Sequence, residues 1–113
     1  MVLESEGTSR VGVIDTDQMY EENVERSSGW VLVDYFAEWC GPCKRFSPTL
    51  SRLSCEFTNI NFFKVDVEQL DDKAQDANIQ AMPTFVLYRD GEEVGRVTGA
   101  DQTKLTLLLQ RTL

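Results

Sequence analysis

The 113-residue chain has no histidine, only three cysteines and three prolines, and far fewer positive than negative charges: 11 Lys+Arg against 19 Asp+Glu, a formal net charge of −8. Each shortage excludes something. Without histidine there is no Ser-His-Asp or Cys-His hydrolysis. Three cysteines and no histidine cannot complete a four-ligand structural zinc site, so no metal is expected. The same three are too few and too odd for a secreted disulfide scaffold. The acidic balance makes nucleic acid a poor partner, because binding it takes a field of the opposite sign. No apolar run approaches the length of a membrane span, and no membrane association is expected. The start, Met1 to Gly7, has neither the basic nor the apolar region of a secretory signal, so a reducing intracellular compartment, the cytoplasm, is the expected location.

What is present reads as one domain. Hydrophobic residues make up 42% of the chain and charged ones 27%, ordinary for a packed core. Residues 1–10 are polar and predict a flexible tail, with a single domain over 11–113. Val11 to Ile14 is a short strand. Asp15 and Gln18 resemble a capping pair that opens a helix over 16–26, broken at Ser27-Ser28-Gly29. Trp30 to Phe36 is apolar at six of seven positions, the pattern of a central strand covered on both faces. After Cys40-Gly41-Pro42-Cys43 a second helix runs to Phe57, with Phe46, Leu50, Leu53 and Phe57 as its apolar stripe and Pro48 as a kink. A strand over 62–67, a short helix within 70–80, a strand over 83–88, a turn at Asp90-Gly91, a returning strand over 93–97 and a last helix through Leu105, Leu108 and Leu109 complete the chain. The order βαβαβαββα predicts an α/β fold: a central mixed five-stranded sheet, parallel within and antiparallel at one edge, flanked by helices.

Cys40 and Cys43 carry the chemistry. At i, i+3 on the first turn of a helix their side chains lie together and can close a disulfide with little backbone movement. The helix N-terminus offers unpaired N–H groups and partial positive charge, so Cys40 is expected to ionise easily and act as a nucleophile. Cys43, one turn in, is expected to be more buried and less ionised. Pro42 suits the first turn, where no N–H is missed. Inert core cysteines or half a metal site are the competing readings. Gly41-Pro42 places no partner for the thiolate between the cysteines, which tilts the pair toward donating electrons.

In this order of elements, Trp39-Cys40-Gly41-Pro42-Cys43-Lys44 resembles the active-site motif of the thioredoxin family, and the likeness extends over residues 11–112. Met82-Pro83-Thr84 is similar to the family's cis-proline loop, Asp34 to its buried acid, Lys64 to the lysine on the neighbouring strand, Pro48 to its helix kink, and Gly91 and Gly99 to glycines of the turn and the substrate-facing rim. The resemblance implies a general protein dithiol–disulfide oxidoreductase that carries electrons to disulfide-containing protein substrates and needs no bound cofactor. NADPH-dependent thioredoxin reductase is the implied donor. It further implies that Cys40 and Cys43 act directly, that Asp34 accepts the Cys43 proton with Lys64 beside it, and that Trp39, Gly41, Pro42, Met82, Pro83 and Gly99 meet the substrate. A cis Met82–Pro83 bond also follows from the resemblance; the residues alone favour trans.

Plainer readings stand beside these. Asp34 can be a polar residue turned outward at a sheet end, and Lys64 a snorkelling surface lysine. Lys44 and Arg45 can be a solvated face. Cys55 falls half a turn from the apolar stripe and is expected on the outer face of its helix, a bystander unless oxidation or dimerisation recruits it. At the level of the whole chain, a secretory oxidase or isomerase and a non-catalytic binding module are the alternatives.

Overall fold

The structure, a computed structural model, describes residues 9–113. Most of the expected tail, residues 1–8, lies outside that range. Ser9 and Arg10 are tied to the second helix: Ser9 Oγ donates to Ser51 Oγ at 3.1 Å, and the Arg10 N–H donates to Ser54 Oγ at 2.9 Å.

Five strands form one sheet: β1 (Val11–Ile14), β2 (Trp30–Phe36), β3 (Ile60–Asp66), β4 (Thr84–Arg89) and β5 (Glu92–Thr98), in the order β1-β3-β2-β4-β5. β1 and β2 run parallel to β3, whereas β4 runs antiparallel to β2 and β5 to β4. The parallel pairs are joined through helices: α1 (Asp17–Tyr20, continued by a wider turn over Glu21–Glu25) and α2 (Gly41–Glu56). α3 (Asp71–Asp76) leads into β4, and α4 (Gln102–Gln110) closes the chain. This is the mixed α/β sheet that the order of elements predicts.

The differences from expectation are local. α1 is capped by Thr16, not by Asp15: Thr16 is extended, at φ −134° and ψ 154°, and its hydroxyl accepts the Met19 N–H at 3.1 Å. Asp and Thr are both good caps, and their adjacency left the choice to backbone geometry. The last turn of α1 closes through an Arg26 N–H to Glu21 C=O bond of 2.8 Å, an i→i−5 spacing that periodicity does not anticipate. β3 begins at Ile60 rather than 62 because it pairs along the whole of β2, from Trp30↔Ile60 to Phe36↔Asp66. At the hairpin, Asp90 and Gly91 have φ of 51° and 85°, the left-handed pair of a tight two-residue turn. A side chain at Gly91 would also run into the Glu25 carbonyl, so the turn tip packs against the end of α1.

Alternation along β2 divides the core. Leu32 faces α2 and α4, packed with Phe46, Leu53, Phe85 and Leu105. Val31, Val33 and Tyr35 face α1 and α3 with Tyr20, Val24 and Tyr88. Asp34 shares the Leu32 face by the same two-residue period, and therefore points toward α2. On the opposite face Tyr35 Oη is 2.7 Å from Tyr20 Oη and 2.6 Å from Tyr88 Oη, all three buried. Burial raises the pKa of Tyr35 and Tyr88 above the ordinary phenol value. No helix among the described residues is long and apolar enough to cross a membrane.

The phenol chain generates a stability prediction. Tyr35→Phe strips the shared partner from two buried hydroxyls and should cost about 2 kcal/mol in urea unfolding. Replacing Tyr20, Tyr35 and Tyr88 together by Phe removes all three hydroxyls of the chain and should cost less than the single change. A triple variant weaker than Tyr35→Phe would mean that the three hydroxyls stabilise the fold in their own right.

Candidate active site

The end of β2 and the start of α2 set the site. Cys40 is the N-cap of α2, extended at φ −85° and ψ 108°, and Gly41 and Pro42 form the first helical positions. Pro42 has no helical N–H bond to lose there, and a side chain at Gly41 would crowd the Arg45 guanidinium. Cys40 and Cys43 are joined in a disulfide with their Cα atoms 5.3 Å apart. The Cys43 N–H donates to Cys40 Sγ at 3.1 Å, so the sulfur takes the place a serine or aspartate oxygen occupies in an ordinary helix cap.

One expectation is corrected. Cys43 is not the more buried of the pair: Cys40 is 4% exposed and Cys43 8%. The cap geometry folds Cys40 Sγ back over the first turn, where both sulfurs join Ala37 in a small apolar cluster covered by Phe36, Val67 and Met82. The loop before β4 closes over them. Cys40 Sγ lies 3.7 Å from the Met82 carbonyl oxygen, and the Met82–Pro83 bond is cis. Gly99, at φ 98°, donates its N–H to the Pro83 carbonyl at 2.8 Å and so ties the end of β5 to this loop. Trp39 is 65% exposed beside the disulfide, and its indole Nε1–H donates to Glu68 Oε2 at 2.8 Å. Its ring is therefore a surface feature, not a core residue.

Behind Cys43 lies a cavity of about 110 Å³ lined by Asp34, Phe36, Ala37, Glu38, Cys43, Lys44, Ser47 and Lys64. Asp34 is 7% exposed, which rules out the outward-facing reading, and its Oδ1 has no hydrogen-bond partner. Burial pushes its pKa from 3.8 up to about 7, against the opposing pull of Lys64. Asp34 and Lys64 are register partners on adjacent strands. The ammonium does not close an ion pair with the carboxylate; it sits over the Phe36 ring, 4.9 Å from the centroid. Lys64 thus snorkels and tempers Asp34 at once.

The predicted residues therefore converge on one end of the sheet. Lys44 and Arg45 stay exposed, and Cys55 is half-buried further along α2. Sequence reasoning missed Glu68, Glu38 and Ser47. Glu68 could have been suspected, since it lies just past the carboxyl end of β3, where ligands meet open α/β sheets. Ser47 follows Cys43 by four residues and so occupies the same helix face.

Comparison with known proteins agrees with this geometry. The family model described as Thioredoxin matches residues 11–111. Thioredoxin-2 of Pyricularia oryzae is 49% identical over 84 residues, which cover 74% of this chain and 49% of that protein. The chain thus spans about half the length of that relative. Thioredoxin Asp f 29 of Aspergillus fumigatus is 43% identical over 90 residues, covering 78% of this chain and 82% of its own. Among solved structures, a thioredoxin from Nicotiana alata superposes with a TM-score of 0.85 at 36% identity, covering 92% of this chain and 93% of that one.

The raised Asp34 pKa has a consequence for stability. The folded protein holds a proton that the unfolded chain releases near pH 4, so stability is full below that point and falls as pH rises through about 7. The loss is on the order of 4 kcal/mol at most. Urea unfolding of the oxidised protein should show this decline, and Asp34→Asn should flatten it and be the more stable protein above neutrality. A parent profile as flat as that of Asp34→Asn would contradict the assignment.

Proposed function

The chain belongs to the thioredoxin family, and from that premise we propose that it is a general protein dithiol–disulfide oxidoreductase that reduces the disulfides of partner proteins through Cys40 and Cys43. Members of the family are protein-disulfide oxidoreductases that act on disulfide substrates. The observation that carries the reading for this chain is the Cys40–Cys43 disulfide at the N-terminus of α2, with the Cys43 N–H on the Cys40 sulfur.

The chemistry starts from the reduced pair. Negative charge on Cys40 Sγ is met by the Cys43 N–H and by the positive end of a 16-residue helix. The Cys40 thiolate attacks one sulfur of a substrate disulfide; a Cys40–substrate bond forms and the other substrate sulfur leaves as a thiolate. Cys43 passes its proton to the Asp34 carboxylate across the shared cavity, and its sulfur displaces the substrate from Cys40. The second substrate sulfur leaves, the Cys40–Cys43 bond closes, and two electrons have moved to the substrate. An acid held near pH 7 by burial suits this role, because it can accept and release a proton at neutral pH.

Substrate docking falls to the surface around the sulfurs. Trp39 offers an exposed aromatic face, and the Met82 carbonyl next to Cys40 can pair with an extended substrate backbone. Gly41, Pro42, Pro83 and Gly99 keep that surface low enough for a polypeptide to approach. Return to the dithiol requires an electron source, for which NADPH-dependent thioredoxin reductase is the natural partner. The cytoplasm is the compartment that suits a reducing catalyst.

Insulin reduction coupled to NADPH and thioredoxin reductase tests the reading, with precipitation of the freed chains as the signal. The parent should turn over, and Cys43→Ser should stop turnover while accumulating a covalent Cys40–substrate adduct on non-reducing electrophoresis. Normal turnover by Cys43→Ser would remove the resolving role, and an inactive parent would leave only a binding function.

A further inference from the structure

Ser47 has no place in the chemistry above, yet its position is singular. It lies one helical turn after Cys43 and lines the cavity that holds Asp34 and Cys43. It also lines a second cavity of about 150 Å³, bounded by Ser9, Val11, Val13, Leu50, Ser51 and Lys64. Ser47 and Lys64 are the residues common to both walls. Ser47 is exposed, so its side chain stands where the inner cavity meets solvent.

Its hydroxyl is also uncommitted. A serine inside a helix often donates to the carbonyl four residues back. Ser54 and Thr112 donate to nearby backbone carbonyls, but the Ser47 hydroxyl makes no hydrogen bond among the described residues. The next residue, Pro48, has no N–H for the Lys44 carbonyl, so the helix wall lacks a ladder bond at the same place. Asp34 lines the same space, with its Oδ1 buried and without a hydrogen-bond partner. A cavity of about 110 Å³ with both residues in its wall has room for a few water molecules.

The chemistry of the wall singles out this hydroxyl. The ionisable groups that line the cavity with Asp34 are Lys64 from β3, Cys43 and Lys44 from α2, and Glu38 from the loop between β2 and α2. Lysine ammoniums only donate, and an ionised glutamate only accepts. Apart from Cys43 and Asp34 themselves, the ends of the transfer, Ser47 is the side chain in this wall that can accept a proton on one side and donate one on the other with no change of charge.

We propose that Ser47 is a positioning residue for the resolving step, its hydroxyl holding the hydrogen-bonded path by which Asp34 exchanges its proton with Cys43 and with solvent. The inference rests on the proposed roles of Cys43 and Asp34. Ser47 forms no bond to sulfur or substrate; one O–H bond forms at its oxygen as the other breaks, so the hydroxyl is unchanged.

The test is single-turnover release of substrate thiol from the Cys40 mixed disulfide, followed from about pH 5.5 to 9.5 for the parent, Ser47→Ala, Ser47→Thr and Asp34→Asn. Ser47→Ala should slow release roughly threefold to tenfold near neutral pH, the equivalent of one ordinary hydrogen bond. The deficit should vanish at the alkaline end, where the Cys43 thiol ionises without help, and Ser47→Thr should restore the parent profile. Folding is not at risk, because alanine is the better helix former at an exposed position. A Ser47→Ala profile that overlays the parent, or one lowered equally at every pH, overturns the inference. If Asp34→Asn also overlays the parent, the proton-acceptor role of Asp34 fails with it; if Asp34→Asn alone is impaired, that role stands and only Ser47 is excluded.

Discussion

Everything at the active end depends on one short contact, the Cys43 N–H donated to Cys40 Sγ across the first turn of α2. A helix N-terminus has orphan N–H groups that must find acceptors, and here a sulfur is the acceptor. The same contact places the second sulfur within bonding reach and brings the helix dipole to bear on the first. Redox chemistry and helix capping are thus a single local arrangement. A change that unwinds the first turn of α2 removes both.

That arrangement has to be held by the rest of the fold. β2 delivers Cys40 from the centre of the sheet, flanked by β3 on one side and β4 on the other. Pairing with β3 puts Lys64 beside Asp34, and pairing with β4 brings the Met82–Pro83 loop over the sulfurs. The two faces of β2 are used differently. One carries Asp34 beneath α2, where burial costs stability and yields an acid that titrates near neutrality. The other carries Tyr35 in a satisfied chain of phenols, a polar group that the core accommodates because its partners are fixed.

The acidic surface bears on partners more than on chemistry. A net charge of −8 keeps the protein away from polyanions and favours basic or neutral docking surfaces. Trp39 is an exposed aromatic beside the disulfide, and its indole N–H is already satisfied by Glu68.

Order of elements, the apolar stripe of α2, the hairpin turn and the dithiol were all legible along the chain, because each follows from local periodicity, turn chemistry or a spacing of three residues. Boundaries slipped where two residue types compete locally, as Asp15 and Thr16 do for the same cap, or where strand length is set by a neighbour, as β2 sets the start of β3. Cys40 and Cys43 could be named from sequence, but not their relative burial, since that is decided by Met82 and Val67 arriving from distant parts of the chain. The sequence by itself determined which atoms carry electrons and in what order the elements occur. Only the tertiary structure decided that Asp34 is buried without an ion pair, that Lys64 rests on Phe36, and that Ser47 opens onto both cavities. The reason is physical: covalent spacing governs what lies within one turn, whereas burial and field at a site are sums over residues that meet only when the sheet closes.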